Sequence, residues 1–506
     1  MIGIAVAFFA AARLVTPAVS AAGGTPCAQL SSLALPGVAT ATARVVGAGE
    51  FVPPAGRGGA AFAATPAFCR VEAVLTPVAD SEITLEVWLP ESGWNGRFQG
   101  VGNRGWGGVI SYAALAQAVT AGYASASTDT GHSGAGARFA LGHPEKVIDA
   151  GSRAVHEMTT YAKALVDARY GTGPAFSYWN GCSLGGRQGY AEAQQYPSDY
   201  NGIVVGDPAN DLTHLYAARL AWALAVHRTP SSEIPASKLP VLHAAALAAC
   251  DANDGVKDGV IEDPRRCRFD PKAAQCADAD GPGCLTAEQV ASARALYMAV
   301  EHPRTHETLA PGFVPGSELG WSVVAGPQPE ANALDLFKYV VFQDPNWDWH
   351  TFNLATDVDR ADQAVGKIVN ATETRLANFF GRGGKLLIYH GWADPQTPPL
   401  GSVDYFERVV KAAADRSPGG TSVPARLFMV PGMGHCEGGD GTDTFDKVTP
   451  LADWVERGVP PTQILAAHQT NGKTDRTRPL CPIGQVARWT GTGDTDNAVN
   501  FRCVTP

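Results

Sequence analysis

At 506 residues the chain exceeds the roughly 250 to 300 residues that one hydrophobic core usually supports, so an inserted or second domain is expected. Hydrophobic residues make up 45% and charged residues 17%, with 56 glycines and 36 prolines, a turn-rich globular composition that excludes a disordered chain. The net charge of −10 is spread along the sequence and no basic tract is present to hold a phosphate backbone, which sets nucleic acid aside as a partner.

The first run, IGIAVAFFAAA, is too short to span a bilayer and leads into the small residues of PAVSAAGG, the pattern of a secretory leader over 1–21. No positive segment precedes it, and a core helix or truncated anchor is the alternative. Secreted or periplasmic export suits the ten cysteines, an even number without a C-x-x-C pair to suggest zinc or a redox dithiol. No membrane partner is expected of the mature chain.

ITLEVWLP alternates apolar and polar residues from Ile83 to Leu89, the period of a half-buried antiparallel strand. Val155, Met158, Ala162, Leu165 and Val166 recur at helical spacing up to the glycine turn at Gly171 to Gly173. AFSYWN, GIVVG at 202 to 206, KLLIYHG at 385 to 391 and ARLFMVPG at 425 to 432 are short apolar runs, as in strands covered on both faces. The alternation predicts a mainly parallel, doubly wound α/β sheet. From about Asp211 to Asn378 strand signals fade among short helices, prolines and aromatics. The expected organisation is therefore a core over 22–210 and 379–506, interrupted by a lid over 211–378.

Gly181, Ser183 and Gly185 form G-x-S-x-G between an apolar strand and the helix-compatible RQGYAEAQQY. A sharp strand-to-helix turn lifts such a serine above the sheet, and flanking glycines remove side chains that would clash. A serine hydroxyl needs a base, and the base an orienting group. His435 follows ARLFMVPGMG and Asp394 follows KLLIYHGWA, so all three are expected at the carboxyl edge of one sheet, in the order Ser183, Asp394, His435 of the α/β-hydrolases. Asp394 as a mere turn cap before Pro395 is the alternative. His390 is a rival base, but its place before Gly391 favours lining the pocket.

Cys182 directly precedes the serine and Cys436 directly follows the histidine. Bonded to each other, their Cα atoms would lie within about 7 Å and staple nucleophile to base. Closing so long a loop is worth roughly 5 kcal/mol in the chain-entropy model.

With these motifs the sequence resembles the tannase and feruloyl esterase family, which also contains mono(hydroxyethyl) terephthalate hydrolase. The likeness is carried by Cys182-Ser183, Asp394 and His435-Cys436, with GNRGWGG, STDTGH, CDANDGVKDGVIED and YHGWADP. It implies a serine esterase with an α/β-hydrolase core, a lid, a structural calcium and no organic cofactor. It also implies disulfides Cys27 to Cys69, Cys182 to Cys436, Cys250 to Cys267, Cys276 to Cys284 and Cys481 to Cys503, a pairing that spacing alone leaves open.

By the fold's geometry the Leu184 N–H is one oxyanion donor and an early loop supplies another. GVGNRGWGG fits that loop, and Gly105 is the chosen donor, although similar family members carry two glycines after the asparagine where this chain has Arg104 then Gly105. In CDANDGVKDGVIED, carboxylates of Asp251, Asp254 and Asp258 with carbonyls of Val256 and Val260 are the hard oxygen ligands that suit Ca2+. The spacing is not that of an EF-hand, and a solvated acidic turn is the alternative. Trp321, Phe337, Phe342 and Trp347 are candidates to stack on a phenolic ring, Lys338 to meet a carboxylate, and His132 is either pocket or scaffold. Ordinary packing is the alternative for each aromatic.

The expected activity is hydrolysis of aromatic esters, feruloyl, galloyl or related, through an acyl-enzyme. The alternatives are a same-scaffold hydrolase of terephthalate monoesters or other carboxylesters, and a secreted binding protein without chemistry.

Overall fold

Nine short strands, most of them rich in Val, Leu or Ala, pair into one sheet. In chain order they are β1 (Val38–Val46), β2 (Phe68–Leu75), β3 (Ile83–Pro90), β4 (Arg97–Val101), β5 (Ala124–Thr128), β6 (Phe176–Cys182), β7 (Gly202–Gly206), β8 (Lys385–Gly391) and β9 (Ala425–Val430). The computed structural model describes residues 24–54, 62–416 and 423–506, so the leader expected over 1–21 lies outside it. The spatial order is β1-β2-β3-β5-β4-β6-β7-β8-β9. β1, β2, β3 and β5 pair antiparallel, and every join from β5 through β4 to β9 is parallel. The molecule is an α/β-hydrolase fold.

Both faces of the parallel half are covered, as its continuous apolar runs require. Ile203, Val205, Leu386 and Ile388 point to a core shared with helix α1 (Ala154–Tyr170) and helix α4 (Leu400–Arg416), the latter through Val403, Tyr405 and Val409. The alternate residues Val204, Leu387 and Tyr389 meet Leu451 and Trp454 of helix α5 (Val448–Arg457) on the other side. Helix α1 stops at Gly171, whose φ of 73° makes it the left-handed cap that the glycine turn predicts.

Strand β3 corrects one expectation. Its alternation suggested a solvated face, yet every residue but Thr84 is buried. The second face lies under Phe51, Phe62, Leu115 and Phe68, against which Trp88 stacks at 4.0 Å. The polar member Glu86 is admitted because Arg70, Trp88 Nε1 and Tyr112 all donate to its carboxylate.

The main sheet is interrupted between Gly206 and Lys385. Among the described residues of that interval the only strands are the two-residue and three-residue pieces Val300–Glu301 and Thr308–Ala310. Helix α3 (Leu212–Val226) runs through its middle, buried on nearly every side, and Leu220, Trp222, Phe313, Trp321 and Phe337 form a core distinct from that of the sheet. Beyond α5 the chain ends in the hairpin Ile464–Thr470 and Lys473–Leu480 and the pair Val486–Trp489 and Phe501–Val504. All five cysteine pairs implied by the family resemblance are bonded.

Candidate active site

β6 ends at Cys182 and helix α2 (Leu184–Gln195) begins one residue later, so Ser183 alone makes the turn, at φ 63° and ψ −120°. Holding an L-residue there costs about 1–3 kcal/mol, and surrounding structure must impose it. Three hydrogen bonds do so. Ser183 N–H donates to Gly206 O at 2.9 Å, Gly185 N–H to Asn103 O at 2.8 Å, and Trp179 Nε1 to Gly185 O at 2.8 Å. The approach leaves no room for side chains. A Cβ on Gly181 would lie 2.3 Å from Gly185 O, and one on Gly102 would lie 2.6 Å from Gly185 Cα. Ser183 itself stays partly open to solvent.

The loops after β8 and β9 are tied together by backbone. Trp392 N–H donates to Val430 O and Ala393 N–H to Met433 O, both at 2.9 Å. This brings His435 Nδ1 to 2.7 Å from Asp394 Oδ2. The other oxygen of Asp394 accepts from Gln396 N–H at 2.7 Å and Thr397 N–H at 2.9 Å. Burial alone would push this carboxyl up, but His435 and His390 together hold it well below the usual carboxylate range. An ionised Asp394 accepts a hydrogen bond from Nδ1–H, which keeps the proton on that nitrogen and leaves Nε2 of the imidazole as the free base. His435 remains half-buried while Asp394 is fully enclosed.

Cys182 and Cys436 are bonded with their Cα atoms 6.0 Å apart, so the residues beside them, Ser183 and His435, are brought to one place from 252 positions apart. Leu184 N–H stands at the first position of α2, where a helix supplies no acceptor of its own. Asn103 is clamped against the elbow: Gln188 accepts from its N–H and donates to its Oδ1, and its Nδ2 donates to Val109 O and Thr128 O. The loop that follows, with Gly105 at φ 60°, is thereby fixed beside the nucleophile turn.

A family model described as tannase and feruloyl esterase matches residues 69–504. The chain belongs to the tannase and feruloyl esterase family. It is 38% identical over 541 residues to an uncharacterised esterase of Xanthomonas campestris pv. campestris, covering 97% of this chain and 93% of that one. It is 33% identical over 536 residues to the mono(2-hydroxyethyl) terephthalate hydrolase of Piscinibacter sakaiensis, covering 88% and 86%. The crystal structure of feruloyl esterase B from Aspergillus oryzae superposes with a TM-score of 0.86 at 29% identity, over 94% and 99% of the two chains. This tannase and feruloyl esterase family member is a carboxylic ester hydrolase.

Several expected pocket residues of this esterase sit elsewhere. His390 is fully buried: Nδ1 lies 2.7 Å from Ser402 Oγ, and Nε2 lies 2.9 Å from Thr397 O and 3.1 Å from Asp394 Oδ2. It braces Asp394 and lines no pocket, because both nitrogens are engaged and no ring edge is exposed. Trp321 and Phe337 are likewise enclosed. Trp321 Nε1 donates to Ser317 Oγ and its ring meets Tyr297 edge-on, while Phe337 nests among Phe342, Trp347 and Phe352, so packing is what these aromatics do. Lys338 is half-buried on the same segment as Phe337. His132 is buried in a stack on Phe139, and burial pushes its imidazole down to about 4.

The acidic loop of the esterase gathers oxygen donors of the kind a calcium ion takes. Asp254, Asp258, Val260 and Glu262 line, together with Arg476 and Arg478, a cavity of about 20 Å³, and Arg478 donates to Asp258 at 2.6 Å. The acidic side of the cavity offers hard oxygens, and burial together with the charges of Asp258 and Asp251 pushes the Asp254 carboxyl up. Asp251 accepts from the N–H groups of Asp258 and Gly259, both at 3.1 Å, which sets the curl of the loop.

Sequence reasoning missed three groups at the site. Asp207, directly after β7, lies with its carboxylate, Asp394 and His435 offering atoms within 4.8 Å of one another. Its signal was GIVVGDP, an acid at the end of a neighbouring parallel strand. Arg104 pairs with Glu437 at 3.0 Å, linking the two loops that flank the serine, and Ser402 props His390 from α4. No spacing rule announces either.

Proposed function

We propose that this esterase hydrolyses esters of aromatic carboxylic acids, feruloyl, galloyl or related phenolics, outside the cytoplasm. The observation that carries the catalytic part is the 2.7 Å bond from His435 Nδ1 to Asp394 beside the strained turn of Ser183. Ser183 Oγ attacks the ester carbonyl as His435 Nε2 takes its proton, and the Leu184 N–H, with a second donor in the loop at Gly105, meets the oxyanion. The imidazolium protonates the departing alcohol. Water then gives a proton to the same nitrogen and attacks the acyl-enzyme; as the Oγ–acyl bond breaks the imidazolium returns that proton to Ser183 Oγ, which releases the acid and restores the serine.

The aromatic acyl group rests on relatives: a feruloyl esterase B at high structural similarity. A relative of comparable identity that acts on mono(2-hydroxyethyl) terephthalate makes terephthalate monoesters the competing substrate class. Initial rates on matched feruloyl, galloyl, terephthaloyl and plain aliphatic esters decide. kcat/KM higher by an order of magnitude or more on a phenolic acyl group is the expected outcome, and a flat profile or a terephthaloyl preference overturns it.

Residues 211–378 act as a lid over the site, and five disulfides suit an oxidising compartment. Asp251, Asp254 and Asp258, with carbonyls of Val256 and Val260, would hold calcium, which when bound cross-links their loop. Dialysis against EGTA should remove one calcium per chain, read by elemental analysis, and lower the melting temperature; a chain that carries none refutes the site.

A further inference from the structure

Asp207 is a carboxylate that the three-residue triad does not use, and everything around it points at the base. β7 lies in the sheet between β6, which delivers Ser183, and β8, which delivers Asp394. Asp207 is the first residue beyond β7, wholly enclosed, and held at φ 38°, a conformation uncommon for any residue but glycine. Its Oδ1 accepts from Gly391 N–H at 2.9 Å and stands 3.6 Å from His390 Nε2. Its Oδ2 is 3.3 Å from Cys182 Sγ, but that sulfur is bonded to Cys436 and has no proton to give. A buried carboxylate oxygen is thus left without a donor among the described residues, and such an oxygen calls for an explanation.

Resting on the triad reading above, we infer that Asp207 is a second acid for His435: a positioning residue whose charge adds to that of Asp394 in holding the imidazolium, and whose Oδ2 accepts the Nδ1 proton when Asp394 is removed. The groups that face it are His390 and Tyr389 from β8, Asp394 from the following loop, His435 from the loop after β9, and Lys447 from the start of α5. Burial and the Asp394 charge push the Asp207 carboxyl up to about 6 against the opposing pull of His390, His435 and the Gly391 N–H. Its charge is therefore fully present only above that pH, in the range where an imidazole base works.

Asp207→Asn tests this with little disturbance, since asparagine tolerates positive φ and its Oδ1 still accepts from Gly391. A carboxylate beside an imidazole favours the protonated, inactive base, so removing one moves the acid limb of kcat/KM to lower pH, by roughly one unit. Combined with Asp394→Ala, the losses in kcat at optimal pH are expected to be about 10-fold for Asp207→Asn, about 10²-fold for Asp394→Ala, and about 10⁴-fold or more for the double variant. Melting temperatures confirm folding, and Asp394→Asn replaces the alanine if that variant does not fold. An acid limb that stays in place, or a double variant no slower than the product of the single losses, overturns the inference. Failure of the triad itself reads out separately, as retained turnover in Ser183→Ala.

Discussion

Ser183 illustrates how a single residue can be specified by what its neighbours cannot be. The turn puts its hydroxyl in the open only because Gly102, Gly181 and Gly185 let three backbone segments meet. Replacing it by alanine should leave the fold intact and lower kcat by about 10⁴-fold or more, with loss of covalent labelling by a fluorophosphonate, read by intact mass. Turnover above that level in Ser183→Ala would contradict its role. The placement of Ser183, Asp394 and His435 beyond the ends of neighbouring strands was legible in the sequence because each follows an apolar run. His390 was misread: whether a histidine beside a glycine lines a pocket depends on Ser402 and Thr397, and no local pattern reveals that both will enclose it.

Elements tell a similar story in their packing. The three parallel joins from β6 to β9 follow from continuous apolar runs, whereas β3 looked half-solvated because the sequence does not disclose that Phe51 and Phe62 fold back over its second face. The loop Gly102–Asn103 has no secondary structure of its own and is ordered by α2, through Gln188 and Gly185. Gly102→Ala should break this docking, since the added methyl would meet the Cα atoms of Gly185 at 2.6 Å and Gly181 at 3.0 Å, backbone that cannot swing aside. A stability loss of about 1–3 kcal/mol and a larger fall in kcat than in KM are expected, measured by denaturant titration and steady-state rates. A fully active, equally stable variant would refute the clamp.

Across the whole molecule, the interval between β7 and β8 was visible as a lapse in strand signals, but its aromatics were not interpretable, since a ring that packs and a ring that binds leave the same mark in a sequence. Trp321 and Phe337 turn out to hold that interval together. Charge contributes as well. His214 of α3 lies 3.2 Å from Asp211 and 3.0 Å from Asp362. Burial disfavours its charge, yet the hydrogen bonds it donates to the two carboxylates outweigh this and raise it to about 10, while Asp362 is lowered. Because the folded value lies above the unfolded one of about 6.5, the stabilisation is complete below pH ~6.5 and disappears as pH rises towards 10. Melting curves from pH 6 to 10 should show the wild type losing up to about 3 kcal/mol relative to His214→Gln, with the two converging near pH 10. Parallel pH profiles would discount the ion pair.

The bond from Cys182 to Cys436 also dictates a timetable. A ribosome delivers the amino-terminal partner first, and the 253 intervening residues carry four other cysteines, Cys250, Cys267, Cys276 and Cys284. Until Cys436 is made, the Cys182 thiol has only non-native partners within reach. The bond can close only after Cys436 has been made, and any sulfur that pairs with Cys182 before then must be exchanged away. A protein isomerase acting on disulfides, more than any step of chain collapse, should set how fast active esterase accumulates in the host that makes it.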